Sequence, residues 1–296
     1  MSNASWANDL AITASIRPLQ SIIANLTIGT ANEKIDLIVD QNESLHNYQL
    51  KPTKIRQLYN SKMIIIIDQN FEIFLDKILA NMEIKDKVIE VAKLPGVKLL
   101  KNEDEHEHEH EHDEHVEEGH HHHASMYDYH LWLDIDIVKI IAKNLSLMLT
   151  EIDPTNQVRY EQNLANFIVK LDALDARIKA KMINLKDKNF IVVHNAYNYF
   201  INRYGLNKPK SITLDHDHNI GARSMLELQN LIKEDKVQCI FEEPQFDASI
   251  IHKLQENSKV RIGKLDAEWG NDNASVVDSY IMMMDDLADS FSRCLK

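Results

Sequence analysis

Two α/β lobes with parallel sheets, joined by one long helix, are predicted by three features of the sequence. The chain has 296 residues, more than an average domain and enough to bury a sizeable core unaided by metals or disulfides. Strand-like and helix-like segments alternate in each half, the order that produces parallel sheets flanked by helices. Between the halves, positions 155–185 contain neither glycine nor proline. As a helix rising 1.5 Å per residue they span roughly 45 Å, the length of a rod crossing a whole domain.

The N-terminal lobe is expected over residues 6–152. Leu10–Ile16 is apolar and reads as a strand, and Arg17-Pro18 opens a helix through Leu26. Lys34–Val39 is a second strand, and Thr53–Lys62 is amphipathic. Met63–Asp68 holds four consecutive isoleucines, as expected of a strand covered on both faces. Phe71, Phe74, Leu75, Ile78 and Leu79 fall at helical spacing within Phe71–Met82. Val88–Leu94 is a further strand, and Ile135–Glu151 carries a dense apolar helical face.

The connecting helix is assigned to 153–187, after Asp153-Pro154, and the C-terminal lobe to 188–296. Its strands are Phe190–Val193, Ser211–Leu214, Cys239–Phe241 and Lys259–Leu265. Helices are expected over Ala196–Tyr204 (closed by Gly205), Ala222–Lys236, Ala248–Asn257 and Ser275–Leu295.

Composition excludes several classes of function. The 44% apolar and 27% charged residues are those of a globular chain, and only 7 glycines argue against collagen-like or turn-rich all-β folds. A net charge of −13 makes nucleic acid or an anionic membrane a poor partner. No run of 18 apolar residues suggests a transmembrane helix, so direct membrane insertion is not expected. The opening Met1-Ser2-Asn3-Ala4 looks like a cloning scar in front of a mature domain, so a missing secretory signal is uninformative about the natural precursor.

The charge is concentrated. Residues 101–123 hold ten carboxylates and one lysine, −9 of the −13, together with nine of the 15 histidines. Alternating Glu and His cannot form a core, so this segment is expected to be a mobile, solvated loop. His106, His108, His110, His112, His115, His120, His121, His122 and His123 are candidate weak, secondary metal ligands, because neutral imidazoles bind zinc and neighbouring carboxylates concentrate cations.

Three other histidines lie at strand–helix junctions, where ligands bind in α/β sheets. His46 lies in Ser44-Leu45-His46-Asn47-Tyr48, His130 in Tyr129-His130-Leu131-Trp132, and His194 follows Ile191-Val192-Val193. Asp266 ends Lys264-Leu265-Asp266. Taken singly, each has a plainer role as a cap or hydrogen-bonding side chain. Brought together between lobes, three imidazoles and a carboxylate suit a divalent cation such as Zn2+ at about 2.0–2.2 Å. Cys239 and Cys294 form no CxxC motif, and their spacing fits either a disulfide or two buried thiols.

These motifs resemble the cluster A-I metal-binding proteins of bacterial ABC transporters, specifically the periplasmic zinc-binding (ZnuA-like) type. The resemblance rests on Ser15-Ile16-Arg17-Pro18-Leu19, Ser44-Leu45-His46-Asn47-Tyr48-Gln49-Leu50-Lys51-Pro52, Tyr129-His130-Leu131-Trp132-Leu133-Asp134, Val193-His194-Asn195-Ala196-Tyr197, Glu243-Pro244-Gln245-Phe246 and Lys264-Leu265-Asp266. It implies the metal-type periplasmic binding fold. His46, His130 and His194 fall on the three histidine ligands and Asp266 on the carboxylate, with water or Glu72 as the alternative fourth donor. It implies a Cys239–Cys294 disulfide and a periplasmic location. It further implies a partner, the membrane permease of a zinc ABC transporter, served by a non-enzymatic monomer. Two departures stand out: Ala267-Glu268-Trp269-Gly270 where proline is usual, and Asp215-His216-Asp217-His218 where histidines are not.

Three other functions compete with zinc delivery. Manganese binding within the same transporter class is disfavoured by three imidazoles, since manganese prefers oxygen. A zinc-buffering or chaperone protein would act mainly through the His-rich loop. A zinc hydrolase would need an activated water and a general base beside the metal, and nothing outside the alternating Glu/His run marks such a base.

Overall fold

The computed structural model describes residues 10–41, 43–102, 126–213, 222–234, 236–256, 258–269 and 274–296. It contains two four-stranded parallel sheets. The first is built from β1 (Ile12–Ala14), β2 (Ile35–Leu37), β3 (Met63–Ile66) and β4 (Val88–Glu90), in the order β2-β1-β3-β4. The second uses β7 (Phe190–His194), β8 (Lys210–Thr213), β9 (Cys239–Glu242) and β10 (Arg261–Lys264), in the order β10-β9-β7-β8. Numbered within its own lobe, each sheet runs 2-1-3-4. The shared topology underlies the repeated strand–helix pattern of the sequence. Both sheets reverse direction beside their first strand, where crevices open at strand C-termini.

The helices follow the expected order. α1 (Arg17–Thr27) starts with proline in its first turn, where a missing N–H costs nothing. α2 (Pro52–Asn60) begins the same way. α5 (Ile135–Ile152) is capped by Asp134, whose side chain accepts from the Asp136 amide. A 3-10 turn, Pro154–Asn156, leads into α6 (Gln157–Met182), the 26-residue rod between the sheets. α7 (Asn198–Tyr204) ends at Gly205, whose φ of 68° is the left-handed conformation that glycine adopts without strain. α8 (Ala222–Lys233), α9 (Ser249–Gln255) and α10 (Val276–Leu295) complete the second lobe.

Three segments depart from their sequence pattern. Val88–Leu94 is a strand only over Val88–Glu90 and then tightens into a 3-10 turn at Val91–Lys93, closed by the Leu94 amide on the Val91 carbonyl. Phe71–Met82 breaks into a 3-10 turn at Ile73–Leu75, α3 (Asp76–Leu79) and then α4 (Met82–Lys85). Its start is held out of a helix because buried Glu72 accepts hydrogen bonds from the Ile67 and Asp68 amides, at 3.0 and 2.9 Å. Its end is interrupted by Asn81, whose side chain caps α4. Leu100–Lys101 (β5) and Tyr127–Asp128 (β6) form an antiparallel pair flanking the His/acid-rich segment, where a continuous polar loop was expected from position 101. The nine histidines of that segment, and Asp215-His216-Asp217-His218, lie outside the described residues.

The lobes share one hydrophobic core. It runs from Ile12 and Ile64 through Trp132, Ile141 and Phe167 to Phe190, Phe241 and Phe291. A smaller cluster (Ile191, Val193, Ile212, Ile240, Ile251, Leu254) covers the outer face of the second sheet. The closing helix α10 packs against α1 and α6 as well as β10, so the C-terminal segment binds both halves. Cys239 and Cys294 are disulfide-bonded, with Cα atoms 5.8 Å apart, tying α10 to β9.

Candidate metal centre

The period of two along a strand decides where the second lobe's polar residues point. On β7, Phe190 and Val192 face the shared core while Ile191 and Val193 face the outer cluster. His194, next in that alternation, lies on the shared-core side. On β9, Cys239 and Phe241 point the same way and Ile240 the other; Glu243, just past the strand, continues the parity. His194 and Glu243 therefore meet, with Nδ1 of His194 2.9 Å from a Glu243 carboxylate oxygen.

The first lobe brings two more imidazoles to the same point. His46 lies on the long β2–α2 connection and His130 directly precedes a 3-10 turn, Leu131–Leu133. The carboxylate of Asp128 accepts from the His130 backbone amide at 2.9 Å and pairs with its Nδ1 at 2.8 Å.

The ring centroids of His46, His130 and His194 lie 5.5 to 5.9 Å apart. One ligating atom from each falls within 4.8 Å of the others. All three Nε2 atoms are buried, and that of His130 has no hydrogen-bond partner among the described residues. Two of the rings have a carboxylate at Nδ1, which fixes the proton there and turns Nε2 into a lone-pair donor. A tetrahedral Zn2+ with Zn–N of about 2.0–2.1 Å needs its nitrogens about 3.3 Å apart, so the cluster, whose ligating atoms lie within 4.8 Å of one another, would close around the ion.

Aromatic rings wall the cluster. Phe71 presents an edge contact to both His46 and His130, at 5.1 and 5.3 Å. Phe246 stacks on His194 at 5.1 Å, and Trp132 lies 5.3 Å from His130. Burial raises the nearby carboxyls: Glu243 is pushed up to about 8, and Glu268 likewise, with the charge of Asp266 adding to the effect on Glu268.

The proposed carboxylate donors stand apart from this trio. Asp266 follows β10, and its Oδ1 accepts from the Gln245 side chain (3.2 Å) and the Glu268 and Trp269 amides (3.1 and 3.0 Å). Glu72 is fully buried and uses both oxygens on backbone amides. Burial pushes its carboxyl up to about 7. Neither belongs to the set of donors within 4.8 Å. The Ala267-Glu268-Trp269 departure clasps the lobes: Arg17 stacks over Trp269 at 5.0 Å, and Trp132 Nε1 donates to the Ala267 carbonyl at 2.7 Å.

The wider groove along β10, about 990 Å³ and bordered by Lys259, Arg261, Lys264 and Arg293, includes none of the three histidines. Asp128 and Glu243 were missed as site residues, although each carried a signal. Asp128 precedes His130 by two positions, and Glu243 lies just past a strand in a quoted motif.

The chain as a whole resembles known zinc-uptake proteins. The family model described as ZnuA, zinc-uptake complex component A, periplasmic, matches residues 12–294. A high-affinity zinc uptake system protein ZnuA of Brucella abortus is 34% identical over 307 aligned positions, covering 96% of this chain and 91% of the relative. A crystal structure of ZnuA superposes with a TM-score of 0.78 at 25% identity, covering 98% of this chain and all of the other. The periplasmic zinc binding protein TroA from Treponema pallidum shares the fold with a TM-score of 0.81 at 19% identity, covering 97% of this chain and 99% of the other. The chain belongs to the periplasmic zinc-uptake component A family, ZnuA.

Proposed function

We propose that the chain captures one Zn2+ on His46, His130 and His194 between its lobes and delivers it to the permease of an ABC transporter. The observation that carries this reading is the convergence of three buried imidazole nitrogens from two lobes, two of them backed by buried carboxylates. Such pre-oriented imidazoles suit zinc over manganese, which favours oxygen donors, and the relatives named for zinc uptake support the same choice. Water or the second oxygen of Asp266 completes the shell; Glu72 is less suited, since both its oxygens already serve backbone amides.

The chain acts as a carrier rather than an enzyme. A periplasmic location is supported by the family description and by the disulfide, which needs an oxidising compartment. The histidines of the 101–123 segment collect additional zinc more weakly than the cleft.

Competition titration against a chromophoric chelator tests the cleft. With residues 103–123 deleted, alanine at His46, His130 or His194 is expected to weaken zinc binding at least a hundredfold. Affinity should also fall as pH drops below about 6, because only neutral imidazoles ligate. Wild-type affinity in all three variants would overturn the assignment.

A further inference from the structure

We propose that Asn198, on the C-terminal lobe, is a positioning residue for His130 of the N-terminal lobe and acts through Asp128. This inference rests on the zinc reading of the three histidines and adds a cross-lobe device that sets one of them.

His194 takes its orienting carboxylate from its own lobe, Glu243. His130 is held differently. Its Nδ1 pairs with Oδ1 of Asp128, which is buried. The other oxygen of that carboxylate, Oδ2, accepts from Nδ2 of Asn198 at 3.1 Å. The Asp128 backbone carbonyl accepts from the hydroxyl of Tyr199 at 2.8 Å. That hydroxyl in turn accepts from the Leu100 amide at 3.0 Å, on the strand paired with Asp128. Both carboxylate oxygens and the carbonyl of Asp128 are thus committed, so the group cannot turn away from His130 without breaking a bond to α7.

Asn198 opens α7, four residues beyond His194. A single strand–turn–helix unit therefore supplies one ligand directly and orients a second ligand across the lobe boundary. An amide N–H on Oδ2 stabilises the carboxylate as an acceptor, and the carboxylate keeps the His130 proton on Nδ1, leaving Nε2 as the donor. Displacing α7 would move His194 and release the tautomer of His130 together, a linkage that suits cargo release by a small shift between lobes.

A double-mutant cycle in the full chain tests the relay. Zinc affinity is measured by chelator competition for wild type, Asn198→Ala, Asp128→Ala and the double variant. Imidazole 15N spectra of the metal-free proteins report the tautomers of His130 and His194. Asn198→Ala should weaken tight zinc binding about tenfold and Asp128→Ala about 10–100-fold. The double variant should match Asp128→Ala, because Asn198 works only through that side chain. In metal-free Asn198→Ala, His130 should shift from one tautomer to a mixture while His194 stays unchanged, a pattern that general loosening would not give. Unchanged affinity in Asn198→Ala, full additivity in the cycle, or an unmoved His130 spectrum would overturn the proposal. If Asn198→Ala does not fold, Asn198→Ser takes its place in the same cycle. If the wild-type cleft binds no zinc, the metal assignment fails, and the spectra of the metal-free proteins still judge the relay.

Discussion

Replacing both Cys239 and Cys294 with alanine should cost about 4 kcal/mol of stability. The bond spans 55 positions, and closing a loop of that length in the unfolded chain removes about 14 cal/mol/K of entropy in the chain-entropy model. The loop contains α9, β10 and most of α10, so the link restricts nearly half of the C-terminal lobe. Lost packing adds to the effect. Both cysteines are buried, and a Cβ on Gly263 would lie 3.0 Å from the Cys294 sulfur, so the sulfur occupies space that glycine leaves open. Against a net stability of about 5–15 kcal/mol, a loss of this size is a large fraction of the whole. Equilibrium urea unfolding of the oxidised wild type and the double variant measures it by linear extrapolation. A difference below about 1 kcal/mol would refute the loop-closure reasoning.

Other outcomes follow from contacts away from the metal centre. Arg203 is half-buried and bonds Asp134, Asp136 and Asp175, each at 2.8 Å, joining α7 to the start of α5 and to α6. Arg203→Met removes all three bonds and should cost about 1–3 kcal/mol in thermal or urea unfolding; a loss under about 0.5 kcal/mol would contradict the role. The hydrogen bond from Arg203 holds the Asp136 carboxyl down to about 2. A depressed folded value means its contribution is present above about pH 4 and is lost as pH falls through about 2. Asp136→Asn should therefore flatten the acid-unfolding profile over that window, and superimposable profiles would count against the pair. At Gly263 a Cβ would lie 2.6 Å from the buried ring of Phe241, so Gly263→Ala should lower stability by about 1–3 kcal/mol, read from the urea midpoint. In calorimetry, deleting residues 103–123 should remove a weak zinc-binding phase and leave the tight one; identical titrations would make the segment a solvated insertion only.

Much of the architecture was legible because it follows from periodicity. The isoleucine run of β3, the proline starts of α1 and α2 and the uninterrupted stretch of α6 are local signals, and the structure has those elements where the signals lie. The approach of His46, His130 and His194 was expected from their strand-end placement, and they do meet. The pattern at Phe71–Met82 misled because helical spacing of apolar residues cannot reveal that Glu72 spends its oxygens on the end of β3. The β5–β6 pair was invisible for another reason. Two-residue strands carry no measurable alternation, and their pairing is decided by contacts remote in sequence. Asn198 escaped notice because a hydrogen bond across 70 positions leaves no local trace, whereas Asp128, two positions before His130, and Glu243, in strand parity with Cys239 and Phe241, could have been inferred.

Anomalous diffraction at the zinc edge, from crystals of the protein lacking residues 103–123 grown with one equivalent of Zn2+, tests the central claim most directly. A single strong peak is expected about 2.0–2.1 Å from Nε2 of His46, His130 and His194. A peak elsewhere, or none among these three nitrogens, would contradict the account.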